Sequence, residues 1–199
     1  MRACVIFDTR YGSTEKIAKS FETGLKEAGI QTVCANAKDV AVDSLKQYDL
    51  ICVGAPTEAF TASKPMKEFL AKLKSTDLSG KYGFAFDTKL DSRFYGSAAK
   101  FIEKELKNLG LQIIAPRESA IVFGVKKEEG GARLKEGEEK RFEQIGLQVG
   151  TMKAHSGGNP VAGLSDHLVR KSRSYLSSVT VLPQIWRVFF RVLSKPAPV

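Results

Sequence analysis

Short apolar runs alternate along the chain with longer segments in which apolar residues recur every three or four positions. The short runs are typical of buried strands, and the periodic segments are typical of helices that bury one face. The pattern predicts strands at 3–7, 31–35, 49–55 and 83–86, and strand-like material at 111–115 and 119–124 that supplies the fifth strand. It predicts helices at 13–28, 44–48, 64–74, 97–109 and 136–149. Because strands and helices alternate strictly, we expect a parallel sheet with helices on both faces.

Length and composition fit one domain of this class, with some residues to spare. The 199 residues are 43% apolar and 27% charged, which is ordinary for a globular protein. The first residues lead straight into the first strand, with no segment long enough for a secretory signal or a membrane span. We therefore expect a cytoplasmic protein.

Each of the three cysteines, Cys4, Cys34 and Cys52, lies within one of the first three predicted strands. Their spacing includes no C-x-x-C motif and no companion histidine, so it favours neither a disulfide framework nor a zinc site. We predict three small buried side chains in a reducing compartment. His155 and His167 lack a carboxylate and a nucleophile at useful spacing, so the sequence predicts no catalytic residue and no metal site.

The excess of positive charge is concentrated near the carboxyl-terminal end of the chain. Of the formal net charge of +9, residues 151–199 carry +6 and residues 1–150 carry +3. Small and flexible residues at 154–165 are typical of a linker. We predict a domain over 1–150, followed over 151–199 by a linker and a basic amphipathic extension.

The segment that follows the first strand carries the most specific chemistry in the sequence. In an open parallel sheet, ligands bind where the strands end, beside the point at which the strand order reverses. Amide groups at the start of a helix suit a phosphate, and Gly12 lets the backbone approach it closely. Further donors are available from the side chains of Thr9, Arg10, Ser13 and Thr14. The alternative is that Ser13 or Thr14 only caps the helix.

The longer string around this loop resembles the flavodoxin signature. It reads Val5-Ile6-Phe7, one further residue, Thr9, two residues, Gly12, one residue, Thr14 and then Ala18. Phe21 departs from it, because an aliphatic residue is usual there. The resemblance covers about residues 2–150 and implies a flavodoxin-like α/β fold, a three-layer sandwich around a five-stranded parallel sheet of order 2-1-3-4-5. It also implies that FMN is the cofactor, with its phosphate bound by Thr9, Arg10, Tyr11, Gly12, Ser13 and Thr14.

In flavodoxins, the loops after the third and fourth strands hold the isoalloxazine ring. The resemblance therefore adds cofactor-binding residues at Pro56, Thr57, Glu58, Ala59, Phe60, Asp87, Thr88, Lys89 and Tyr95. Glu58 occupies a position that often carries a stacking aromatic residue. Ala59 replaces a glycine whose peptide flip stabilises the neutral semiquinone, and because alanine resists positive φ, that flip is expected to be costlier here. Tyr95 or Phe94 either covers the outer face of the ring or packs against the following helix.

The segment that begins at Pro183 combines aromatic, aliphatic and cationic side chains over about ten residues, too few to span a bilayer. This composition is typical of an interfacial helix. Three interpretations stay open: docking on the domain or on a second copy, binding of residues 179–199 to a membrane surface, or binding to an acidic protein or nucleic acid. Nothing here resembles a nucleic-acid-binding fold, so we predict no specific nucleic-acid partner.

The resemblance implies FMN-dependent electron transfer, in which the protein takes electrons from a reductase and passes them to an acceptor protein. The alternative is an FMN-dependent oxidoreductase of quinone-like or porphyrinogen substrates at a membrane surface. The Thr-Arg-x-Gly-x-Thr loop is similar to that of flavodoxin-type protoporphyrinogen dehydrogenases, but their long insertion near the last strand is not evident. Flavodoxin shuttles are typically acidic around the flavin, whereas this domain is nearly neutral, which weakens a ferredoxin-replacing role.

Overall fold

The computed structural model describes residues 1–92, 96–124 and 131–154 of the chain. These residues belong to one unit, which spans Met1–Gly158. The predictions made for Phe94 and Tyr95, for the linker and for the carboxyl-terminal extension concern residues outside these ranges, and they stay predictions.

The sheet has a core of five parallel strands. Over the described residues the strands are β1 (Arg2–Phe7), β2 (Gln31–Asn36), β3 (Leu50–Glu58), β4 (Thr61–Ala62), β5 (Tyr82–Leu90), β6 (Gln112–Ile113), β7 (Glu118–Gly124) and β8 (Ala132–Leu134). The parallel strands follow the order β2-β1-β3-β5-β7, which confirms the predicted order 2-1-3-4-5. At the edge, β8 pairs antiparallel with β7, while β4 pairs antiparallel with β3 and the short β6 runs parallel to β5.

The strand count exceeds the predicted five because short polar segments also join the sheet. The edge strand β8 lies within residues 126–137, a charged and glycine-rich stretch in which the apolar pattern predicts no strand. An edge strand has one open side and needs no continuous apolar run, so hydrophobic periodicity does not reveal it.

Two central strands also continue beyond their apolar runs, so the prediction of loops there was wrong in part. The parallel ladder between β3 and β5 includes the pairs Ala55–Asp87 and Pro56–Thr88. Asp87, Thr88 and Lys89 therefore belong to β5, where the sequence predicted a loop. Main-chain pairing with neighbours on both sides, β3 and β7, accounts for this extension.

Within the described ranges, four α-helices cover the two faces of the sheet: α1 (Ser13–Glu27), α2 (Lys64–Lys72), α3 (Ala98–Asn108) and α4 (Glu138–Ala154). The predicted helix at 44–48 is instead a 3-10 helix, Val42–Gln47, and the tighter 3-10 geometry is usual for such short segments. Pro65 lies in the first turn of α2, and Ser97 caps α3 by accepting a hydrogen bond from the Lys100 amide. None of the helices in the described ranges is long and apolar enough to cross a membrane.

The sheet separates two cores of different composition. On the side of α1 and α4, the rings of Phe21 and Phe84 stack with centroids 4.9 Å apart, and Phe142 meets Phe86 edge-on at 6.0 Å. On the side of α2 and α3 the buried residues are mainly aliphatic, and they include Ile51, Val53, Met66, Leu70, Ile102 and Leu106. Successive residues of each strand feed opposite cores, as the pleat requires.

Helices α1 and α4 pack with their backbones in close contact, and glycines make this possible. A Cβ built on Gly24 of α1 would lie 1.9 Å from the carbonyl oxygen of Glu143 in α4. A Cβ on Gly146 of α4 would lie 2.3 Å from the carbonyl oxygen of Phe21, and one on Gly150 would lie 2.4 Å from the Ala28 Cβ. Any larger residue at these positions forces the helices apart.

The three cysteines lie on β1, β2 and β3, as predicted, and all are free thiols. Cys4 and Cys52 are buried and Cys34 is half-buried. Burial raises the pKa of Cys4 to about 12 and is also the main cause that raises the pKa of Cys34 to about 12. The fully buried Cys52 has its pKa raised well above the ordinary value of 9.0 by the same effect. All three are therefore protonated at neutral pH and act as packing groups.

We expect the substitution Gly146→Ala to lower the free energy of unfolding by about 2 kcal/mol and Tm by roughly 4–8 °C, because the added methyl group meets backbone atoms that cannot turn away. Thermal and urea unfolding measure the loss. Gly124→Ala is the matched control, since a Cβ there would meet only the Leu90 Cδ2 at 3.5 Å, an ordinary contact. Equal melting temperatures for the two variants would contradict the close packing of α1 on α4.

We expect iodoacetamide at pH 8 to leave Cys4 and Cys52 unmodified in the folded protein and to label all three thiols in 8 M urea, as measured by mass spectrometry. The reason is that folding raises each pKa above 9.0, so the reactive thiolate is scarce at pH 8. The raised pKa also determines how stability depends on pH. The stabilising contribution of the buried thiols is complete below pH 9 and is lost as the pH rises toward 12. Rapid native labelling of Cys4 contradicts this account.

Candidate functional site

The carboxyl-terminal ends of β1, β3 and β5 meet on one edge of the sheet. The strand order reverses between β1 and β3, and such a reversal leaves a crevice where open α/β sheets bind ligands. All the predicted cofactor-binding residues within the described ranges lie at this edge, either at the ends of these strands or in the segments that follow them.

The segment from Thr9 to Thr14, called the phosphate loop below, joins β1 to α1. Gly12 precedes the first helical residue and has φ of +81°, in the left-handed region that glycine enters without steric cost. Its amide donates to the Thr9 Oγ1 at 3.0 Å, which closes the loop upon itself. The amide groups of the first turn of α1 have no partner within the helix, and the helix dipole makes this end favourable for an anion.

Two hydroxyl groups of the phosphate loop are engaged by other strands. The Ser13 hydroxyl donates to the Ala132 carbonyl oxygen of β8 at 3.0 Å. The Thr14 Oγ1 lies 2.8 Å from the Thr88 Oγ1 of β5, and both side chains are buried. The loop is thus fastened to β5 and to the edge strand.

A third link joins the phosphate loop to the end of β3. The Arg10 guanidinium lies 3.6 Å from a carboxylate oxygen of Glu58, and its Cζ lies 5.3 Å from the centre of the Tyr11 ring. Arg10 and Tyr11 remain exposed to solvent. An exposed ion pair of this kind contributes little to stability, so its main effect is on local charge.

Asp87 holds the amino-terminal end of α3 rather than facing the crevice. Its carboxylate is fully buried, and Oδ2 accepts hydrogen bonds from the Ser97 hydroxyl at 2.8 Å, the Ala99 amide at 3.0 Å and the Thr57 hydroxyl at 3.0 Å. The Thr57 oxygen in turn accepts from the Ala98 amide at 2.9 Å. Oδ1 has no hydrogen-bond partner among the described residues. The side chains of Asp87 and Thr57 therefore join β3, β5 and α3.

The hairpin formed by β3 and β4 turns at Ala59 and Phe60, which have φ of +44° and +69°. This differs from the expectation that Ala59 avoids the left-handed region. A two-residue hairpin turn that matches the strand twist needs positive φ at both central residues, and it imposes that conformation here without a glycine. Phe60 is 68% exposed. Its backbone contacts Gly96 closely, since a Cβ built on Gly96 would lie 2.4 Å from the Phe60 carbonyl oxygen.

The remaining ring-end residues, Pro56 and Lys89, are half-buried near the ends of β3 and β5. The residues that sequence reasoning missed are Asp8 and Ser63, whose side chains are buried beside the phosphate loop. The Ser63 hydroxyl donates to the Asp8 Oδ2 at 2.5 Å and links the end of β1 to the start of α2. The only sequence signal was a carboxylate directly after an apolar strand; its partner lies 55 residues further on.

Comparison with known proteins gives a family match over more than half of the chain. The sequence profile of the family described as Flavodoxin matches residues 5–145. A flavodoxin of Clostridium saccharobutylicum is 32% identical over 89 residues, which are 44% of this chain and 56% of that protein. An uncharacterized protein of Methanocaldococcus jannaschii is 29% identical over 134 residues, 64% of this chain. The chain spans 33% of the length of that second relative.

Among solved structures, a flavodoxin from the domain Archaea superposes with a TM-score of 0.63 at 22% identity, covering 77% of this chain and 99% of that one. The rubredoxin oxygen:oxidoreductase of the anaerobe Desulfovibrio gigas gives a TM-score of 0.64 at 17% identity, covering 79% of this chain and 37% of that one. At such identities the likeness supports the fold.

We expect Asp87→Ala to lower the free energy of unfolding by about 3 kcal/mol, because it leaves three donors without their acceptor, two at the start of α3 and one on β3. Asp87→Asn, which retains one acceptor oxygen, should lose less. Urea unfolding gives both values. Asp77→Ala is the control, since Asp77 is an exposed carboxylate that also accepts a backbone hydrogen bond, from Ser79. A loss for Asp87→Ala no larger than that for Asp77→Ala argues against the buried network.

Proposed function

Because this chain belongs to the flavodoxin family, we propose that it takes electrons from a reductase and passes them to an acceptor protein. Proteins of this family bind FMN and transfer electrons, and FMN is accordingly the cofactor. The observation that carries the proposal is the phosphate loop, in which a left-handed Gly12 opens α1 beside the strand-order reversal. When bound, FMN supplies reversible redox chemistry, and the protein supplies binding, orientation and electrostatics.

The donors of the phosphate loop fit a phosphate group. A Cβ built on Gly12 would meet no atom within 4 Å, so the space over this backbone is open. The Thr9 oxygen accepts from the Gly12 amide, which leaves the Thr9 hydroxyl hydrogen available to an anion. We propose that this hydroxyl, the first-turn amides of α1 and the Arg10 guanidinium bind the phosphate of FMN.

At the ring end we propose that the β3–β4 hairpin and the end of β5 flank the isoalloxazine. The hairpin carries an exposed aromatic side chain at Phe60, and Lys89 lies on the neighbouring strand β5. The hydrogen bond between Asp87 and Thr57 holds the ends of β3 and β5 together. We therefore propose that these two side chains support the site and do not themselves contact the isoalloxazine.

The net charge of the domain bears on the class of redox partner that it can steer toward the site. Residues 1–150 carry a net charge of only +3, and Arg10 is paired with Glu58 at the site. These residues do not provide the strongly acidic docking surface that would steer a basic partner. The alternative of an oxidoreductase for quinone-like or porphyrinogen substrates, and an association of residues 179–199 with a membrane surface, stay predictions.

The proposed function is tested by loading the purified chain with FMN and reducing it stepwise without oxygen. We expect absorbance near 450 nm that bleaches on reduction, followed by stoichiometric electron delivery to an added acceptor protein such as cytochrome c. Sustained turnover of NAD(P)H with a small quinone would instead support the oxidoreductase. A colourless protein that FMN cannot reconstitute overturns both functions.

We expect Gly12→Ala to weaken FMN binding by about tenfold, because a side chain in the left-handed region costs about 1–2 kcal/mol and the methyl group enters the space proposed for the phosphate. Fluorescence titration of the apoprotein with FMN measures the dissociation constant. Gly29→Ala is a close control: Gly29 has φ of +80°, its built Cβ also meets nothing within 4 Å, and it follows the opposite end of α1. Both variants should lose similar stability, and only Gly12→Ala should lose affinity. Equal affinities for FMN count against the assignment of this loop.

A further inference from the structure

The hairpin of β7 and β8 lies against the phosphate loop through two contacts. Gly131 has φ of +79°, and a Cβ built there would lie 2.3 Å from Cε1 and 2.4 Å from Cδ1 of Tyr11. The tyrosine ring therefore rests directly on the backbone of Gly131, in space that any other residue would fill. One residue further along, the Ala132 carbonyl oxygen accepts the Ser13 hydroxyl at 3.0 Å.

The second contact decides what the Ser13 side chain can do. A serine hydroxyl has one hydrogen, and in this structure the Ala132 carbonyl receives it. Ser13 is 8% exposed, so little of it faces solvent or a ligand. The serine is thus directed at the hairpin, whereas Thr9 keeps a hydroxyl hydrogen available for an anion.

Tyr11 and Ser13 flank Gly12, the residue whose left-handed conformation opens α1. Holding both neighbours restrains the backbone on each side of the glycine, and a glycine without such restraint samples many conformations. The amide donors point at a common position as long as this backbone is fixed. Preorganised donors bind an anion more tightly than mobile ones.

We propose that Gly131 and Ala132 are positioning residues for the FMN phosphate: they hold Tyr11 and Ser13, and through them they keep the phosphate loop in its binding conformation. This inference rests on the proposed function. It extends the site to an edge hairpin, since neither residue is among those that the flavodoxin resemblance assigns to the cofactor. It also reassigns the Ser13 hydroxyl, but not the Ser13 amide, from a phosphate donor to a link between the loop and β8.

The test compares FMN with riboflavin, which has the same ring system and lacks the phosphate. We expect Gly131→Ala to weaken FMN binding by about tenfold, because the methyl group displaces the Tyr11 ring from its position against residue 131. Riboflavin binding should change by less than about twofold. Gly137→Ala is the control, since Gly137 has φ of +83° with no atom within 4 Å of a built Cβ. It carries the same backbone strain without the contact, and both affinities should stay near those of the unsubstituted chain.

The outcomes separate the two proposals. Failure of the unsubstituted chain to bind FMN overturns the proposed function. Normal FMN binding by the unsubstituted chain, with equal losses for FMN and riboflavin in Gly131→Ala, overturns the positioning role alone, because the effect is then one of general stability. Unchanged FMN affinity in Gly131→Ala overturns it as well.

A second measurement uses the unsubstituted chain, so it does not depend on the folding of a variant. Coupling between two sites is reciprocal, so a phosphate that stabilises the loop must also stabilise the hairpin that holds it. We expect FMN, and inorganic phosphate at high concentration, to slow amide hydrogen exchange in residues 131–134 as well as in the phosphate loop. Slowing confined to the loop contradicts the inference.

Discussion

The rest of the site depends on the close packing of α1 against α4. Three glycines bring the helix backbones so near that a single methyl group at Gly24 would lie 1.9 Å from a carbonyl oxygen of the facing helix. Because neither helix can slide or rotate without losing this fit, the first turn of α1 has a fixed position over the sheet, and the phosphate loop shares it. Helix α4 also follows closely after β8, so the same packing anchors the far end of the hairpin that supports Tyr11 and Ser13.

A second fixed point lies on the opposite face of the sheet. The buried carboxylate of Asp87 accepts two hydrogen bonds from the amino-terminal end of α3, where the helix dipole also favours a negative charge, and a third from Thr57 on β3. Through Thr57 it ties β3 to β5 at the level where both strands leave their apolar runs. Polar contacts therefore hold the two strands where they extend beyond the apolar cores toward the crevice.

Hydrophobic periodicity was enough to predict the five parallel strands and the four α-helices, because each buries an apolar face whose spacing is visible in the sequence, while the strand order came from the resemblance to flavodoxins. The sequence also pointed to Gly12 as the place where the backbone can approach a phosphate, but it did not predict the left-handed conformation of this residue. Strand β8, the Asp87 network and the Asp8–Ser63 pair were not predictable, because each depends on a partner far away in the sequence. The positive φ of Ala59 was missed because turn geometry, set by the register of β3 and β4, overrides the preference of the residue.

The chemistry of the donors in the phosphate loop determines how their charge depends on pH. The groups of the described loop that are available to an anion are backbone amides, the Thr9 hydroxyl and the Arg10 guanidinium, which also faces the carboxylate of Glu58. Amides and hydroxyls of threonine and serine keep their protons across the physiological range, and a guanidinium keeps its charge. A phosphate monoester, by contrast, takes up a proton with a pKa of about 6. Near that pH the donors of the described loop therefore keep their charge, while the charge of the ligand's own phosphate changes.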